Sequence, residues 1–325
     1  MRGLIITSIA VLMAMAEVSC GGAASTSQSD PAAPPPSSPS PPPTQSATFD
    51  NVPHFAHVAL VVFENQEEDK ILGNPNMPWL TNLAMQNAYA ANYFADTHPS
   101  LGNYFMLTTG QIITNDLNFG GVVDADNIVR EIVAAGKTWK AYEESIPSVG
   151  YLGDMAVPYE KTHDPAAYFS DVRNDPAQAA NLVPLTQLTA DMTSGTLPDF
   201  MFIEPNQIDT MHDCPANEPG CDNDQKLQVG DNWAQQNLGP LLANPDFQQN
   251  GLLIITWDES WDTDSQYGGG HVLLILVGSN LKSQYVSNTF YQHESTLRLI
   301  CDAVEIPCMG NGTTAPAMSE FFAGN

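Results

Sequence analysis

The chain has 325 residues, of which 43% are hydrophobic, and it is long enough for one large globular domain or two smaller ones. Its 37 Asp and Glu residues stand against only 10 Lys and Arg residues, so the formal net charge is −27. Such an acidic surface repels nucleic acids and anionic membranes, and we discount both as partners. A site that handles an anion would therefore need metal ions, helix N-termini or histidines.

The first 20 residues have the features of a secretory signal. Arg2 is followed by an apolar run from Leu4 to Met15 and by small residues before Cys20. The run is too short to span a membrane. Cleavage after Ala16 would give a plain exported protein, and cleavage before Cys20 would give a lipoprotein. We expect an exported chain, either secreted or anchored by a lipid at the cell surface or in the periplasm.

The other four cysteines form two pairs with the same spacing, Cys214 with Cys221 and Cys301 with Cys308. In an exported protein, such pairs are expected to form local disulfides. Cys20 is then the odd cysteine, which favours its use as a lipid anchor to the membrane.

Residues 21–48 are rich in Pro, Ser and Ala and contain almost nothing that could be buried. This composition is typical of an extended, disordered tether. We therefore expect a single folded domain over residues 49–325. If Cys20 carries a lipid, the tether would hold this domain away from the membrane.

Strand and helix patterns alternate through the folded part of the chain. Apolar runs predict strands over residues 57–63, 138–142, 199–204, 252–257 and 271–277. Helical patterns cover residues 78–88, 126–135 and 294–304, a segment that begins at Ser100, and a segment capped by Gly230 and Asp231 that ends near Leu242. This alternation predicts a three-layer α/β/α fold with a mostly parallel central sheet.

Ser100 lies where a helix should begin. Pro99 ends the incoming loop, and apolar residues with helical spacing follow, starting at Leu101 and Tyr104. A hydroxyl is favoured at a helix cap, so Ser100 could simply be an N-cap. The same helix N-terminus, with its unpaired N–H groups, also suits a bound anion.

Polar side chains follow the predicted strands, at the edge of the sheet where ligands bind in such folds. Glu64 and Asn65 come after the first strand, and Asp258 and Glu259 come after the strand over residues 252–257. Carboxylate and amide oxygens are ligands of divalent cations. The pattern therefore predicts a metal site at this edge.

Six segments resemble, in the same order, those of the bacterial phosphoesterase family. They are the segment over residues 57–65 and the motifs HPSLGNYFMLTTG, LPDFMFIEPNQIDTMHD, GDNWAQQNLGPLL, LLIITWDES and YQHESTLRLI. This family contains secreted acid phosphatases, a phosphatidylinositol phosphatase and non-specific phospholipases C, and it belongs to the alkaline phosphatase superfamily. The resemblance covers residues 55–306 and implies an alkaline-phosphatase-like fold.

The resemblance also implies roles for particular residues. Ser100 looks like the family's nucleophile, which is itself bound to the metal and forms a phosphoserine intermediate. Glu64 with Asn65, and Asp258 with Glu259, look like its two pairs of metal ligands. These five residues would thus hold a divalent metal ion of unknown identity.

Three histidines are similar in position to residues that hold the substrate phosphate or, in superfamily relatives, a second metal. They are His98, His212 and His293, and we treat all three as candidate catalytic residues. Asp209, His212 and His293 could together form the second metal site, so that one or two ions would be bound. A protonated His212 or His98 could also protonate the leaving oxygen, which would suit a mildly acidic optimum.

Two further cationic side chains lie in a stretch rich in loop signals. Lys161 and His163 are close in sequence to Tyr159 and Tyr168, and one of the two could reach a phosphate. The sequence does not decide which of the two would do so, and neither is counted among the candidate site residues.

The leading hypothesis is an exported, metal-dependent phosphomonoesterase resembling acid phosphatases, with a small phosphate ester or a phospholipid headgroup as substrate. The chain is shorter than the phospholipases C, which favours the phosphatase branch of the family. Two alternatives stay open. One is a phosphodiesterase of the phospholipase C type, and the other is a surface lipoprotein that binds metal or a phosphorylated ligand without turnover.

Overall fold

The structure is a computed structural model that describes residues 51–261 and 263–324. The predicted signal over residues 1–20, the anchor at Cys20 and the tether over residues 21–48 lie outside the described residues. All of the described residues belong to one unit, Ser46–Asn325.

One sheet organises the described part of the chain. Its strands are β1 His57–Phe63, β2 Ala88–Phe94, β3 Trp139–Glu143, β4 Leu182–Pro184, β5 Phe200–Glu204, β6 Gly251–Trp257, β7 His271–Gly278, β8 Tyr285–Ser287 and β9 Tyr291–Gln292. The strand order is β4-β3-β5-β1-β6-β7-β2-β8, and β9 pairs with β2. Only β7 runs antiparallel to its neighbours in this described sheet. The predicted α/β fold with a mostly parallel sheet is confirmed.

Helices fill the connections between the strands. They are α1 Glu68–Ile71, α2 Pro78–Gln86, α3 Leu101–Thr109, α4 Ile128–Ala134, α5 Ser170–Arg173, α6 Pro176–Ala179, α7 Thr186–Ser194, α8 Asn223–Ala243, α9 Pro245–Asn250 and α10 His293–Val304. Short 3₁₀ segments occur at Lys161–His163, Pro165–Tyr168, Gly310–Thr313 and Ser319–Phe321. Across residues 51–261 and 263–324, no helix has both the length and the hydrophobicity that a membrane span requires.

The centre of the sheet is formed by β1 and β6, which are buried along their whole length. Both are continuous apolar runs, as expected for parallel strands that are covered on both faces. Their register pairs His57 with Gly251 at one end and Phe63 with Trp257 at the other. The next residues, Glu64 and Asp258, therefore leave the sheet side by side.

The structure contains a strand that the sequence analysis did not predict. The helix predicted over residues 78–88 ends at Gln86, and β2 follows with the sequence AYAANYF. Alanine and asparagine are poor strand formers, so local preference gives little signal here. Pairing with β7 overrides that preference, and β2 then leads the chain to Ser100.

The predicted helix cap at Gly230 and Asp231 is wrong. Helix α8 begins earlier, at Asn223, where Asp222 forms a capping box with the first turn. Asp231 lies inside α8, and its carboxylate instead accepts the backbone N–H groups of Trp79 and Leu80, at 3.0 and 2.8 Å. Asp231 thus caps the start of α2, a neighbouring helix, rather than its own.

The two predicted disulfides are both present. Cys214 is bonded to Cys221 in the loop before α8, and Cys301 in α10 is bonded to Cys308. Each closes a short local loop, as the spacing of the cysteines predicted.

Candidate active site

Four adjacent parallel strands lead to an acidic residue at the same edge of the sheet. In spatial order, β3 ends at Glu143, β5 ends at Glu204, β1 is followed by Glu64 and β6 is followed by Asp258. All four side chains are buried. Burying several carboxylates together is costly unless protons, cations or hydrogen-bond donors accompany them. The hydrogen-bonding and ionic partners of these four carboxylates therefore indicate which chemistry this edge of the sheet supports.

The structure brings together the five residues predicted to bind the first metal. The Ser100 hydroxyl donates to Glu64 Oε2 at 3.2 Å. The backbone N–H of Asn65 donates to Asp258 Oδ1 at 3.3 Å, and its side-chain amide donates to Glu259 Oε1 at 2.8 Å. We call Ser100, Glu64, Asn65, Asp258 and Glu259 the Ser100 cluster.

Ser100 precedes α3 but does not use its side chain as a cap. Its backbone is already helical, with φ −36° and ψ −53°, and no side-chain capping hydrogen bond is formed. The interpretation of this hydroxyl as an N-cap is therefore wrong. Because it is not needed by the helix, the Ser100 oxygen is available at the wall of a cavity.

The electrostatics of the Ser100 cluster favour a bound cation. Burial raises the pKa of Asp258 well above its usual range, and the charges of Glu64 and Glu259 raise it further. Burial also opposes ionisation of Glu64, but His163 outweighs it, so that the pKa of Glu64 is lowered. Asp258 Oδ2 and Asn65 Oδ1 are buried oxygens without a hydrogen-bond partner.

Such oxygens are what a hard divalent cation requires, so the residues of the Ser100 cluster fit the predicted ion. Among the described residues, no group of three or more His, Cys, Asp or Glu side chains is arranged to hold a metal. Glu64, Asp258 and Glu259 are such side chains but do not by themselves form that arrangement, so the predicted ion would also need the Asn65 amide and the Ser100 hydroxyl. The metal site therefore stays a prediction.

His163, which the sequence offered only as a cation that could reach a phosphate, lies instead against the acidic residues at this edge. Its Nε2 lies 2.9 Å from Glu64 Oε1 and its Nδ1 lies 3.5 Å from Glu204 Oε1. Its ring stacks on Tyr104 with the centroids 5.0 Å apart. The Tyr104 hydroxyl donates to the same two oxygens, at 2.9 Å for Glu204 and 3.2 Å for Glu64. Together, His163 and Tyr104 fix the side of Glu64 that faces away from Ser100.

A second group of carboxylates lies next to the Ser100 cluster. Glu143, Asp164 and Glu204 form what we call the buried acid cluster. Burial and the neighbouring carboxylates raise the pKa of Glu143 and of Glu204 well above the usual range. Burial raises the pKa of Asp164 to about 7. Tyr159 donates to Asp164 Oδ2 at 3.1 Å. These carboxyl groups favour the protonated form.

Two of the predicted catalytic histidines have both ring nitrogens in contact with protein atoms. His98 Nδ1 lies 3.1 Å from Glu259 Oε2, and its Nε2 lies 2.9 Å from the carbonyl oxygen of Asp264. His293 contacts the carbonyl oxygen of Asp258 at 2.6 Å and the Tyr93 hydroxyl at 2.8 Å. Burial lowers the pKa of His293 to about 4. Both rings brace the loop after β6, and their catalytic role stays a prediction.

The three residues of the predicted second metal site are not in contact with one another. His212 is partly exposed, lines the cavity and has its Nδ1 2.9 Å from Asp213 Oδ1. Asp209 accepts from the Asn206 amide at 3.2 Å. No contact in the described part of the chain joins either residue to His293, which is buried. A second metal site therefore stays a prediction.

A cavity of about 590 Å³ opens over Ser100. Its wall includes Ser100, Glu64, His163, His212 and Lys161. The volume is large enough for a substrate with a sizeable leaving group. The wall residues place a hydroxyl, a carboxylate and an imidazole around the same space.

Comparison with known proteins identifies the family of this chain. Residues 64–307 match the model of the Phosphoesterase family. The chain belongs to this family. It is 29% identical over 276 residues to the phosphatidylinositol-3-phosphatase of Mycobacterium tuberculosis, covering 83% of this chain and 84% of that protein. It is 28% identical over 269 residues to a probable acid phosphatase of Kluyveromyces lactis, covering 79% of this chain but only 60% of that protein.

Among solved structures, this phosphoesterase resembles a protein in the alkaline phosphatase superfamily from Vibrio parahaemolyticus. The TM-score is 0.53 and the sequence identity is 11%, with 85% of this chain and 73% of the other covered. This similarity shows the fold that the sequence motifs implied.

Proposed function

We propose that this protein is a phosphomonoesterase that acts through a phosphoserine at Ser100. The observation that carries the proposal is the contact between the Ser100 hydroxyl and Glu64 at the wall of the cavity. Family membership supports hydrolysis of phosphate esters, and the two relatives compared above are both named phosphatases.

The residues around Ser100 suit a two-step transfer. The Ser100 oxygen attacks phosphorus, forming a new O–P bond as the bond to the leaving oxygen breaks. Glu64 Oε2 is the acceptor for the hydroxyl proton at 3.2 Å. His212 lines the same cavity and would supply a proton to the leaving oxygen, with Asp213 orienting its ring. Water then attacks the phosphoserine and gives a proton to His212, while the O–P bond to Ser100 breaks and the Ser100 oxygen takes back the proton held by Glu64. Phosphate is released and the hydroxyl is restored.

Glu64, Asn65, Asp258 and Glu259, with Ser100, would hold a divalent metal ion. When bound, such an ion lowers the pKa of a serine hydroxyl and offsets the negative charge of the phosphoryl oxygens. The protein holds these side chains in place through a further set of contacts. In particular, Asn103 donates to Glu259 Oε2 at 3.3 Å.

We also propose that the protein is exported, since both disulfides are compatible with an oxidising compartment. We further propose that the exported protein carries a lipid at Cys20. This lipid would make the protein a membrane-anchored phosphatase.

A comparison of two chromogenic substrates tests the proposed activity. Metal-loaded protein should hydrolyse p-nitrophenyl phosphate, should leave bis-p-nitrophenyl phosphate largely intact, and should lose activity in EDTA. Preference for the diester would favour a phospholipase C-type activity instead. Hydrolysis of neither ester by metal-loaded protein would favour a binding protein without turnover.

A further inference from the structure

The cavity contains one cationic side chain that the proposed mechanism does not use. Among the described residues lining it, Lys161 is the sole Lys or Arg. Its side chain is about 10% exposed and lies with Nζ 4.7 Å from the ring centroid of Tyr168. Burial, with a contribution from Arg173, lowers the pKa of this lysine. Burying a charged lysine here costs free energy unless an anion accompanies it.

The charges of Asp154 and Asp164 raise the pKa of Lys161, but they do not outweigh its burial and the charge of Arg173. Its nearest carboxylate oxygen, on Asp154, is 3.9 Å away, and the Asp154 side chain is fully exposed. The carboxylate of Glu160, which also lines the cavity, accepts from the backbone and hydroxyl of Thr162 instead. An exposed ion pair at this distance contributes little free energy. The ammonium group is therefore free to bind an anion that enters the cavity.

The side chains of Lys161 and His163 enter the cavity wall in different directions. Lys161 and His163 are two residues apart in a 3₁₀ segment, so their side chains leave its axis in different directions. His163 points to the buried carboxylate of Glu64, whereas Lys161 lies along Tyr168 and approaches the exposed Asp154. An anion at Lys161 would thus be nearer to the mouth than a phosphoryl group at Ser100.

The wall beside Lys161 suits the body of a leaving group. The rings of Phe119 and Tyr168 stack with centroids 5.8 Å apart, and both line the cavity together with the exposed side chains of Leu117 and Met155. An apolar wall with one fixed cation binds a molecule that has an apolar body and an anionic substituent. On a chain with a net charge of −27, such a local cation also offsets repulsion of an incoming anion.

We propose that Lys161 forms a second anion subsite, which recognises a carboxylate or a further phosphate on the leaving group of the substrate. This proposal rests on the proposed function, because it takes the transferred phosphoryl group to be at Ser100. It makes Lys161 a determinant of substrate choice and not of the chemical step.

Two esters that differ in one charge test the subsite. They are 4-carboxyphenyl phosphate and 4-carbamoylphenyl phosphate, which have nearly the same shape. We expect the ratio of their kcat/KM values, carboxylate over amide, to fall about tenfold in Lys161→Met relative to the unsubstituted protein, as for loss of one close ion pair. Lys161→Arg should keep the ratio within about threefold, because the cation is retained.

The matched control is Lys70→Met, which removes the same charge from an exposed lysine on α1 that does not line the cavity. Its ratio should equal that of the unsubstituted protein. Because each ratio compares two substrates on one preparation, partial unfolding of a variant does not affect it. With 1,4-phenylene bisphosphate in place of the carboxylate ester, a tenfold fall in the corresponding ratio would support the subsite equally and identify phosphate as a ligand.

Two outcomes would overturn the subsite. An unchanged ratio in Lys161→Met, with both kcat/KM values also unchanged, would mean that the lysine only packs against Tyr168. An unchanged ratio with an equal loss of kcat/KM for both esters, after correction for the folded fraction, would mean that it holds the transferred phosphoryl group. If the unsubstituted protein hydrolyses neither ester, the proposed function fails instead, and the same ratio taken from dissociation constants by calorimetry still decides the subsite.

Discussion

The Ser100 cluster and the buried acid cluster both consist mainly of buried carboxylates, but they differ in their position relative to the cavity. Both take carboxylates from the ends of adjacent strands at one edge of the sheet. The Ser100 cluster borders the cavity and has a hydroxyl and an amide among its members. Glu143 and Asp164, in the buried acid cluster, have Tyr159 nearby and favour the protonated form.

The difference shows that a strand end by itself does not make an acidic residue reactive. What distinguishes the Ser100 cluster is that Ser100 and Glu64 line a cavity and that His163 lowers the pKa of Glu64 despite its burial. His163 lies between the two clusters, with one ring nitrogen on Glu64 and the other facing Glu204. The buried acid cluster therefore contacts the Ser100 cluster through His163, and Glu143, Asp164 and Glu204 do not line the cavity.

Removing the Ser100 hydroxyl should have the largest effect. In Ser100→Ala, kcat should fall by about 10⁴-fold or more, because the attacking atom is lost. The melting temperature should change little, since this hydroxyl caps no helix. Steady-state kinetics and thermal unfolding measure the two quantities. Ser194→Ala is the control, because within residues 51–261 and 263–324 the Ser194 hydroxyl bonds only to α7 and to Thr196. Residual activity within tenfold of the unsubstituted protein would rule out Ser100 as nucleophile.

Changing a carboxylate of the Ser100 cluster should act through the metal. Asp258→Asn removes a negative charge from the proposed ligand set, so we expect metal affinity and activity to fall by about 100-fold or more. Elemental analysis after dialysis measures the metal content directly. Asp231→Asn changes a buried aspartate that caps α2 and should retain its metal. Unchanged metal content in Asp258→Asn would contradict the ligand assignment.

The buried acid cluster should instead affect how stability depends on pH. The folded pKa of Asp164 is about 7 against an ordinary value of 3.8, so the folded state binds its proton more tightly than the unfolded state does. The resulting stabilisation is complete below about pH 4 and is lost as the pH rises to about 7. Asp164→Asn carries no titrating proton at this position. Its stability relative to the unsubstituted protein should therefore rise by roughly 2–4 kcal/mol between pH 4 and pH 7.

Denaturant unfolding at a series of pH values measures this change. The control is Asp116→Asn, which also replaces an Asp by Asn but at an exposed position outside the buried acid cluster. If Asp164→Asn gave a curve parallel to that of the unsubstituted protein, Asp164 would be ionised in the fold, and the contrast between the two clusters would not hold.

A carboxylate outside both clusters should have the smallest effect on function. Asp231→Ala removes the acceptor for two N–H groups at the start of α2, which should lower the free energy of unfolding by about 1–2 kcal/mol. Chemical denaturation measures this loss, and kcat per folded molecule should stay the same. A fall in kcat after correction for the folded fraction would show that Asp231 affects the residues of the active site.

The fold could be predicted where local pattern and tertiary environment agree. The strand over residues 57–63 has the predicted bounds because an unbroken apolar run has few alternatives to a central strand. The pattern failed at β2, where pairing with β7 overrides weak local preference. At α8, the capping box at Asp222 was present in the sequence, but Gly230 and Asp231 gave a misleading second signal.

The site was predictable to a similar degree. Glu64 and Asp258 could be placed because strand ends share one edge of a parallel sheet. Tyr104 is four residues after Ser100, a spacing that puts two side chains on the same face of a helix and could have indicated their proximity. His163 comes from a loop between distant strands, and its contact with Glu64 is set by tertiary packing that leaves no local pattern.

The central claim is that Ser100 becomes phosphorylated during turnover. Metal-loaded protein mixed with excess substrate and quenched in acid within milliseconds should carry phosphate on the peptide that contains Ser100, as measured by mass spectrometry. The label should disappear when the substrate is exhausted and should be absent from Ser100→Ala. Turnover without any protein-bound phosphate, or phosphate found on a histidine such as His163 or His212, would contradict the account.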